Sequence, residues 1–276
     1  MTTSTALPLA DLRGTLVLAG AGKMGGAMLT GWLARGLEPT RVVVIDPFAP
    51  DAIKALGMTG VRINPAANTI GDVATLVIAV KPQMFREAGP ALREFAGSAL
   101  VVSIMAGVTI ASISEVCGGR VVRAMPNTPA AIGRGITVAV AAGDVRAEQR
   151  GTADALLRAT GSVEWVDDES LMDAVTALSG SGPAYVFLLA EEMARAGVAA
   201  GLPAELAMKL ARETVSGSGE LLHRSELDSA TLRKNVTSPG GTTAAALEVL
   251  MGADGFEPLL TKAIAAATKR SKELAK

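Results

Sequence analysis

The sequence is poor in the residues that build most metal and acid–base sites, because it has one cysteine, Cys117, and one histidine, His223. A single cysteine cannot form a disulfide within the chain, which is typical of a reducing compartment. Zinc sites need clustered cysteine and histidine ligands, so we expect no metal site. The helical pattern of residues 220–224 places His223 on a helix, and we expect neither His223 nor Cys117 to be catalytic.

Aromatic residues make up only 3% of the chain, and its formal net charge is -1. A general nucleic-acid-binding surface carries an excess of basic residues, so nucleic acid is not an expected partner. The longest apolar stretches are interrupted by Lys23, Lys81 or glycines, which argues against a membrane span. Residues 1–13 lack the basic start and apolar core of an export signal. We therefore expect a cytoplasmic protein without membrane partners.

Short apolar runs rich in β-branched residues alternate with helical patterns over the first half of the chain. Continuous apolar runs of this kind are typical of strands covered on both faces, as in parallel sheets. The sequence therefore predicts an α/β fold with an N-terminal Rossmann-type, doubly wound parallel sheet. The predicted strands are 16–19, 41–45, 76–80, 100–104, 120–124 and 136–140, and the predicted helices are 27–33, 52–56, 84–95 and 149–159.

The strand pattern ends near Trp165, and the charged run 167–169 marks a predicted domain boundary. We expect a dinucleotide-binding Rossmann domain in residues 1–166 and an all-α domain for substrate binding and dimerisation in residues 167–276. Residues 184–200 are apolar on nearly every side of a helix, so that helix is buried either in its domain or against another subunit. We therefore predict a homo-oligomer built through this half. The predicted helices there are 171–178, 184–200, 204–222, 242–251 and 257–275.

A glycine-rich motif, Gly-Ala-Gly-Lys-Met-Gly at residues 20–25, follows the first predicted strand and precedes an apolar helix. In this G-x-G-x-x-G pattern Gly20 permits a tight turn, Gly22 lets the backbone approach a pyrophosphate, and Gly25 lets helix and strand pack closely. The start of the helix faces the anion. The pattern alone is weak in a chain with 30 glycines, but its position predicts a dinucleotide site.

Asp46 ends the second predicted strand, near the spacing expected for an acid that bonds the adenosine ribose. A carboxylate there suits NADH and repels the 2′-phosphate of NADPH. Asp46 is followed by Pro47 and also fits a turn cap, so both cofactors stay open, with NADH slightly favoured. Lys23 is not followed by serine or threonine, which argues against an ATP-binding Walker loop.

The residues that the common dehydrogenase mechanisms need are missing. The only tyrosine is Tyr185, and Leu189 stands where a Tyr-x-x-x-Lys site has its lysine. A histidine-based hydroxy-acid dehydrogenase pairs its histidine with a carboxylate and an arginine, and His223 is a poor candidate for that role. Hydride transfer to an imine fits this shortage, because a protonated imine is already an electrophile and needs little further proton transfer.

A second loop suited to an anion lies at residues 235–243, Asn-Val-Thr-Ser-Pro-Gly-Gly-Thr-Thr, before an alanine-rich helix. Its glycines expose backbone N–H groups, and we expect Thr242 or Thr243 to cap the helix. Bare amides at a helix start suit a carboxylate. The alternative is an ordinary N-capped loop without a ligand. A similar turn at residues 179–183 serves either helix packing or ligand contact.

Several motifs, in order and over nearly the whole chain, resemble those of the pyrroline-5-carboxylate reductase family. The resemblance implies reduction of 1-pyrroline-5-carboxylate to L-proline by hydride transfer from NADPH or NADH, the last step of proline biosynthesis. It also implies a helical domain that interlocks with a second subunit, and dimers that often assemble into a decamer. The motifs are residues 79–82 (AVKP), 103–107 (SIMAG), 123–129 (RAMPNTP), 173–185 (DAVTALSGSGPAY) and, most specifically, 236–243 (VTSPGGTT).

The same resemblance implies the site residues. Thr243 is the implied catalytic residue, with its hydroxyl reaching the imine nitrogen, and its loop can serve the partner subunit's cofactor. The other implied substrate-binding residues are Asn235, Val236, Ser238, Gly241 and Thr242. The implied cofactor-binding residues are Gly20, Ala21, Gly22, Lys23, Met24, Ala79, Val80, Lys81, Pro82, Ala106 and Gly107, with Asp46 and Asn68 on the adenosine side.

Some roles and functions stay open from the sequence. Asp46 stands where many relatives have a small polar or basic residue, which weakens the case for NADPH. Lys81 either neutralises a cofactor phosphate or ends a strand, and Arg123 either braces a loop through an ion pair or contacts the cofactor. The alternative functions are a β-hydroxy-acid dehydrogenase, for which Lys209 and Lys234 lack a convincing motif, and a non-catalytic nucleotide-binding regulator. Another cyclic imine is an alternative substrate.

Overall fold

The computed structural model describes residues 8–274 of the chain. By its internal packing the chain divides into two compact units. The first unit runs to Gly180 and takes in the chain again from Thr268, and the second unit is Ser181–Ala267. The boundary predicted after residue 166 rests on composition. It stays a prediction of where the dinucleotide-binding domain ends and the domain for substrate binding and dimerisation begins. Residues 1–7, part of the segment read as lacking an export signal, lie outside the described residues.

The first unit contains a sheet of eight strands: β1 Thr15–Ala19, β2 Val42–Ile45, β3 Arg62–Ile63, β4 Val73–Ile78, β5 Leu100–Ser103, β6 Arg120–Met125, β7 Gly135–Ala141 and β8 Gly161–Trp165. Their order across the sheet is β3-β2-β1-β4-β5-β6-β7-β8. Because the order reverses between β1 and β4, this pair is the switch point, where doubly wound sheets bind ligands at the carboxyl ends of their strands. The six predicted strands are all present, with shifted ends.

Helices cover both faces of the sheet. Leu16 and Leu18 of β1 face one hydrophobic core, whereas Val17 and Ala19 face the other. This two-sided burial explains why β1 is apolar throughout, and it confirms the predicted doubly wound fold. The helices of the first unit are α1 Lys23–Ala34, α2 Asp51–Ala55, α3 Pro82–Ala96, α4 Ile110–Val116, α5 Ala147–Arg158 and α6 Met172–Val175.

The pairing of β6 with β7 is antiparallel, which corrects the wholly parallel sheet predicted from the sequence. Met125 and Gly135 are joined by a short segment that contains one 3-10 turn, Thr128–Ile132. A parallel return needs a crossover of roughly a dozen or more residues, so this connection turns the strand back instead. The prediction also omitted α4 and two strands. β3 was missed because it has only two residues, and β8 was missed because it includes a glycine, a serine and a glutamate.

The second unit is helical. α7 and α8 pack through small residues, since a Cβ added to Gly197 would lie 3.2 Å from the Cβ of Ala207. The short helix α9 was not predicted, because seven residues give too little periodicity to recognise. The helices are α7 Gly182–Ala199, α8 Ala204–Arg224, α9 Ser229–Asn235, α10 Thr242–Leu250 and α11 Phe256–Leu274, whose last turns belong to the first unit.

Large apolar side chains of the second unit are exposed in the single chain. On α7, Phe187 is 67% exposed and Leu188 is 53% exposed. The buried residues of α7 and α8 are instead alanines: Ala194, Ala207 and Ala211. An apolar surface of this kind is typical of a chain that pairs with another subunit. Of the two predicted settings for the helix at 184–200, the structure therefore favours the subunit contact.

Candidate active site

Gly20 makes the turn that ends β1 at the switch point. Its backbone φ of +89° lies in the left-handed region, and a Cβ there would lie 2.8 Å from the carbonyl carbon and oxygen of Ala79. Its N–H donates to the Ile45 carbonyl at 2.9 Å, and the neighbouring Ala79 N–H donates to the Ala19 carbonyl at 2.7 Å. Only glycine fits this position, because the backbones of three strand ends converge on it.

Gly22 and Gly25 fill the other two roles predicted for the motif. A Cβ on Gly25 would lie 2.1 Å from the Gly20 carbonyl oxygen, so α1 can pack this closely on β1 only through a glycine. Gly22 is the N-cap of α1, makes no side-chain cap bond and has open space where a Cβ would stand. The first turn of α1 thus presents bare N–H groups, with the exposed Lys23 beside them. These features fit the pyrophosphate of a dinucleotide.

Asp46 is held rigidly at the carboxyl end of β2. Its two carboxylate oxygens accept the backbone N–H groups of Ala21 and Phe48, each at 2.8 Å. The Asn64 side chain accepts the Asp46 N–H and donates to the Asp46 carbonyl, again at 2.8 Å in both bonds. Asp46 therefore both caps the turn at Phe48 and tethers the phosphate loop at Ala21, so its negative charge has a fixed position.

Asn64 was missed from the sequence, although it is the one described non-glycine residue with a positive φ, at +47°. Asparagine tolerates this conformation better than most residues, and that preference was the available signal. Asn68, which the sequence places beside the adenosine, lies exposed in the 3-10 turn Ala67–Thr69. Its side chain makes no hydrogen bond with the described residues, and its role stays a prediction.

The loops that follow β4 and β5 lie at the same edge of the sheet as the phosphate loop. Residues 79–82 follow β4, which is the neighbour of β1 across the switch point. Lys81 is the N-cap residue of α3, and its side chain is exposed at this edge. Ala106 and Gly107 follow β5, and Gly107 turns the chain with a φ of +74°. The structure thus gathers the sequence-predicted cofactor loops at one edge of the sheet.

Arg123 braces a loop through a partly buried ion pair. The residue is 4% exposed, and its guanidinium donates to the Glu169 carboxylate at 2.8 Å. The same carboxylate oxygen accepts the Ile110 N–H, at the start of α4, at 2.8 Å. Of the two roles predicted for Arg123, the structure supports the brace, because Glu169 fixes the helix that follows Gly107. Glu169 was missed, since residues 167–169 gave no signal beyond a charged boundary.

The predicted substrate loop joins α9 to α10. Its cap differs from the prediction, because Gly241 rather than Thr242 or Thr243 is the N-cap of α10 and makes no side-chain cap bond. Gly240 has a φ of +69°, and the Gly241 N–H donates to the Ser238 carbonyl at 3.1 Å. The first turn of α10 therefore starts with bare N–H groups and two threonine hydroxyls. Asn235, the last residue of α9, and Val236, Ser238 and Thr242 are exposed, while Thr243 is half-buried.

Residues suited to other chemistries are not gathered into a site. His223, Lys209 and Lys234 are exposed on their helices. Cys117 is buried and donates to the Gly89 carbonyl at 3.4 Å; burial raises the pKa of its thiol to about 11, against a smaller opposite effect of Arg93. Within residues 8–274, no group of His, Cys, Asp and Glu could hold a metal ion, and no helix is long and apolar enough to cross a membrane.

Comparison with known proteins decides the family. A family model described as pyrroline-5-carboxylate reductase dimerisation matches residues 169–274, and one described as NADP oxidoreductase, coenzyme F420-dependent, matches residues 15–107. The pyrroline-5-carboxylate reductase of Pseudomonas aeruginosa is 40% identical over 267 residues, covering 94% of this chain and 96% of that protein. The chain belongs to the pyrroline-5-carboxylate reductase family. The resemblance drawn from its motifs is confirmed.

Solved structures of pyrroline-5-carboxylate reductases share the fold. The Coxiella burnetii protein has a TM-score of 0.88 at 34% identity, over 96% of this chain and 100% of that chain. The Plasmodium falciparum protein, solved with NADP bound, has a TM-score of 0.78 at 29% identity, over 96% of this chain and 99% of that chain. The fold predicted from the sequence, a Rossmann sheet followed by a helical dimerisation segment, is that of the family.

Proposed function

We propose that the protein reduces 1-pyrroline-5-carboxylate to L-proline, with NADH or NADPH as the hydride donor. The observation that carries the proposal is the similarity to pyrroline-5-carboxylate reductases, at 40% identity, over 94% of the chain. Two bare helix starts, one in each compact unit, support it, because the reaction needs one anion site for a dinucleotide and one for a carboxylate.

The dinucleotide is held by the first unit. Gly20, Gly22 and the first turn of α1 bind the pyrophosphate through backbone N–H groups, with Ala21, Lys23 and Met24 completing the loop. The loops after β4 and β5 line the nicotinamide side, and the exposed Lys81 adds a positive charge. When bound, the nicotinamide supplies the hydride. The Arg123–Glu169 ion pair keeps the loop after β5 in place through Ile110.

The substrate is held by the second unit. The N–H groups at the start of α10, after Gly241, bind the carboxylate, and Thr243 hydrogen-bonds the ring nitrogen. The C=N carbon accepts the hydride, and the nitrogen keeps the proton that made the imine electrophilic. Little further proton transfer is needed, which fits a site without histidine or cysteine. Asn235, Val236, Ser238 and Thr242 complete the loop.

The active enzyme is a homo-oligomer in this proposal. The exposed apolar residues of α7 and the match of residues 169–274 to a dimerisation model support a dimer. The substrate loop of one subunit then serves the cofactor of its partner, and dimers assemble further, up to a decamer. The cytoplasmic location expected from the sequence stays a prediction.

The preference between the two cofactors follows from Asp46 in this proposal. Its carboxylate is fixed at the carboxyl end of β2, where a Rossmann fold places the adenosine ribose. An oxygen that already accepts one N–H can still accept a ribose hydroxyl, because a carboxylate has about four lone-pair sites. A 2′-phosphate at the same place meets a like charge. We therefore expect NADH to be used better than NADPH.

The experiment that tests the function is a steady-state assay of the purified protein with 1-pyrroline-5-carboxylate and either cofactor. We expect the nicotinamide absorbance to fall and L-proline to accumulate in equal amounts. Oxidation of a β-hydroxy acid with NAD, without imine reduction, would replace the proposal by the dehydrogenase alternative. Cofactor binding without any turnover would replace it by the regulator alternative, and a faster reaction with another cyclic imine would change the substrate.

A further inference from the structure

A cavity of about 1260 Å³ lies in the first unit at the edge where the parallel strands begin. It is lined by the starts of β4 and β5, at residues 73–75 and 98–100, and by the segment before β1, at residues 10–13. The phosphate loop follows the other end of β1, at the carboxyl edge of the sheet. The cavity is therefore separate from the cofactor site, and none of its lining residues falls in the matched dimerisation segment.

The cavity is lined by five arginines and three acids, although the whole chain has a net charge of -1. This concentration of positive charge favours an anion. Arg41 and Arg158 already donate to the Leu12 and Val163 carbonyls, so the available N–H donors belong mainly to the other three arginines. The arginines are Arg13, Arg41, Arg146, Arg150 and Arg158, and the acids are Asp11, Glu148 and Asp154.

The least exposed of the three acids is already paired with its neighbours. Asp154 accepts the Arg158 guanidinium at 2.6 Å and the indole N–H of Trp165 at 2.9 Å. Arg150 lies over the Trp165 ring, 4.3 Å from its centre. Its positive charge is thereby held at the cavity without an acidic partner.

Two arginines keep nearly all of their donors available. Arg13 forms no hydrogen bond or ion pair with the described residues, and it is exposed at the cavity. Arg146 has one long side-chain bond, at 3.5 Å, to Gln149. Guanidinium groups that line one cavity without acidic partners repel one another, so a bound anion would relieve a repulsion as well as make new bonds.

The start of α5 adds to the positive electrostatic potential at the cavity. The helix has twelve residues and begins at Ala147, and its first turn lines the cavity. It begins at this edge because β7 runs antiparallel to β6 and delivers the chain there. The positive end of the helix dipole therefore supports the arginines, while Glu148 partly offsets it.

We propose that this cavity binds a phosphate polyanion of triphosphate size. Its volume exceeds the roughly 300–1,000 Å³ of most small-ligand pockets, so it has room for several phosphate groups beside its arginines. Inorganic triphosphate and the triphosphate of a nucleotide share this chemistry. The site does not depend on the proposed reductase reaction, and it is not a second cofactor site, because it lacks a glycine-rich loop.

The test is calorimetric titration of the full-length protein with inorganic triphosphate, in the presence of saturating NADPH that blocks the cofactor site. We expect one site per chain, with an affinity that falls as salt is added. In the Arg13→Gln/Arg146→Gln variant the affinity should fall by about tenfold or more, since charge-assisted bonds are lost. Both residues are exposed, and an unchanged thermal unfolding midpoint checks that the variant is folded.

The control is the Lys54→Gln/Arg86→Gln variant, which removes two exposed positive charges of the same unit away from the cavity. It should bind triphosphate as the unchanged protein does. A second titration with ATP separates the sources: equal affinity assigns the site to the phosphates alone, and tighter binding assigns a contact to the nucleoside. Absence of binding, or equal loss in both double variants, would overturn the proposal.

Discussion

At the scale of single residues, Asp46 combines two tasks that the sequence presented as alternatives. Its carboxylate caps the turn at Phe48 and tethers the phosphate loop at Ala21. The sequence could place Asp46 at the end of a strand, but not pair it with Ala21, which is 25 positions away. The partners of Asn64 and Glu169 are also distant in the chain, so the sequence did not show the contacts of these two residues.

Replacing Asp46 with asparagine should shift the cofactor preference towards NADPH. Asp46→Asn removes the charge and keeps one oxygen acceptor, so the ratio of kcat/KM for NADPH to that for NADH should rise by about tenfold, or about 1.4 kcal/mol. The Kd values of NADPH and NADH, measured by fluorescence titration, should show the same shift in preference towards NADPH. One backbone N–H loses its acceptor, which lowers the free energy of unfolding by about 1 kcal/mol.

The control for this substitution is Asp144→Asn, which removes the same charge from the segment after β7. Because β7 runs antiparallel to β6, that segment lies at the opposite edge of the sheet. In this control variant the ratio of kcat/KM for NADPH to that for NADH should not change. An Asp46→Asn enzyme with an unchanged ratio would show that the carboxylate does not select the cofactor.

The hydroxyl of Thr243 should matter for turnover and not for cofactor binding. Thr243→Val keeps the shape of the side chain and removes its hydrogen bond to the ring nitrogen, so kcat/KM for the imine should fall by about ten- to a hundredfold. The Kd for NADPH should stay the same. Thr261→Val, at an exposed hydroxyl of α11, is the matched control. Normal turnover by Thr243→Val would remove Thr243 from the mechanism.

At the scale of elements, continuous β-branched runs identified the strands because both faces of the sheet are covered. β1 and β5 are buried over almost their whole length, and these strands were predicted within one or two residues. β8 was not predicted because its sequence includes Gly161, Ser162 and Glu164, which suit the edge of a sheet. The direction of β7 depends on the length of its connection to β6, which apolar periodicity does not encode.

The close packing of α1 on β1 makes a sharp test of the phosphate loop. Gly25→Ala puts a Cβ 2.1 Å from the Gly20 carbonyl oxygen, a contact that the backbone must move to relieve. We expect cofactor binding to be lost and the free energy of unfolding to fall by about 1–3 kcal/mol. Binding can be followed by NADPH fluorescence and stability by urea unfolding.

The neighbouring Gly26 supplies the control for this variant. A Cβ at Gly26 would lie 3.4 Å from Ala21 and Ile53, which is ordinary contact. Gly26→Ala should bind NADPH normally and gain about 0.5–1 kcal/mol from its higher helix propensity. Equal behaviour of the two variants would show that α1 does not need the close approach at Gly25.

At the scale of the whole molecule, we expect the apolar surface of the second unit to make the free energy of unfolding depend on assembly. A chain whose folded form is stabilised by a partner copy has an unfolding midpoint that rises with protein concentration. The sequence predicted an oligomer from the apolar helix at 184–200. It could not show which side chains stay exposed, because that depends on how α7 packs against α8.

Phe187 is the substitution that should break this assembly. Phe187→Asp puts a charge on a side chain that is 67% exposed in the single chain, and we expect a shift to monomer in light scattering after size exclusion. Met58→Asp is the matched control, since Met58 is 91% exposed but lies in the first unit. A Phe187→Asp protein that keeps the mass of the unchanged protein would place the interface elsewhere.

The two tryptophans of the chain, Trp32 and Trp165, both belong to the first unit. Trp32 is fully buried on α1 and donates its indole N–H to the Leu156 carbonyl of α5 at 2.8 Å. Tryptophan emission in a denaturant titration therefore follows the first unit alone, whereas far-ultraviolet circular dichroism also follows the helices of the second unit. Coincident curves would mean that both units melt in one cooperative step, and separated curves would measure the stability of each.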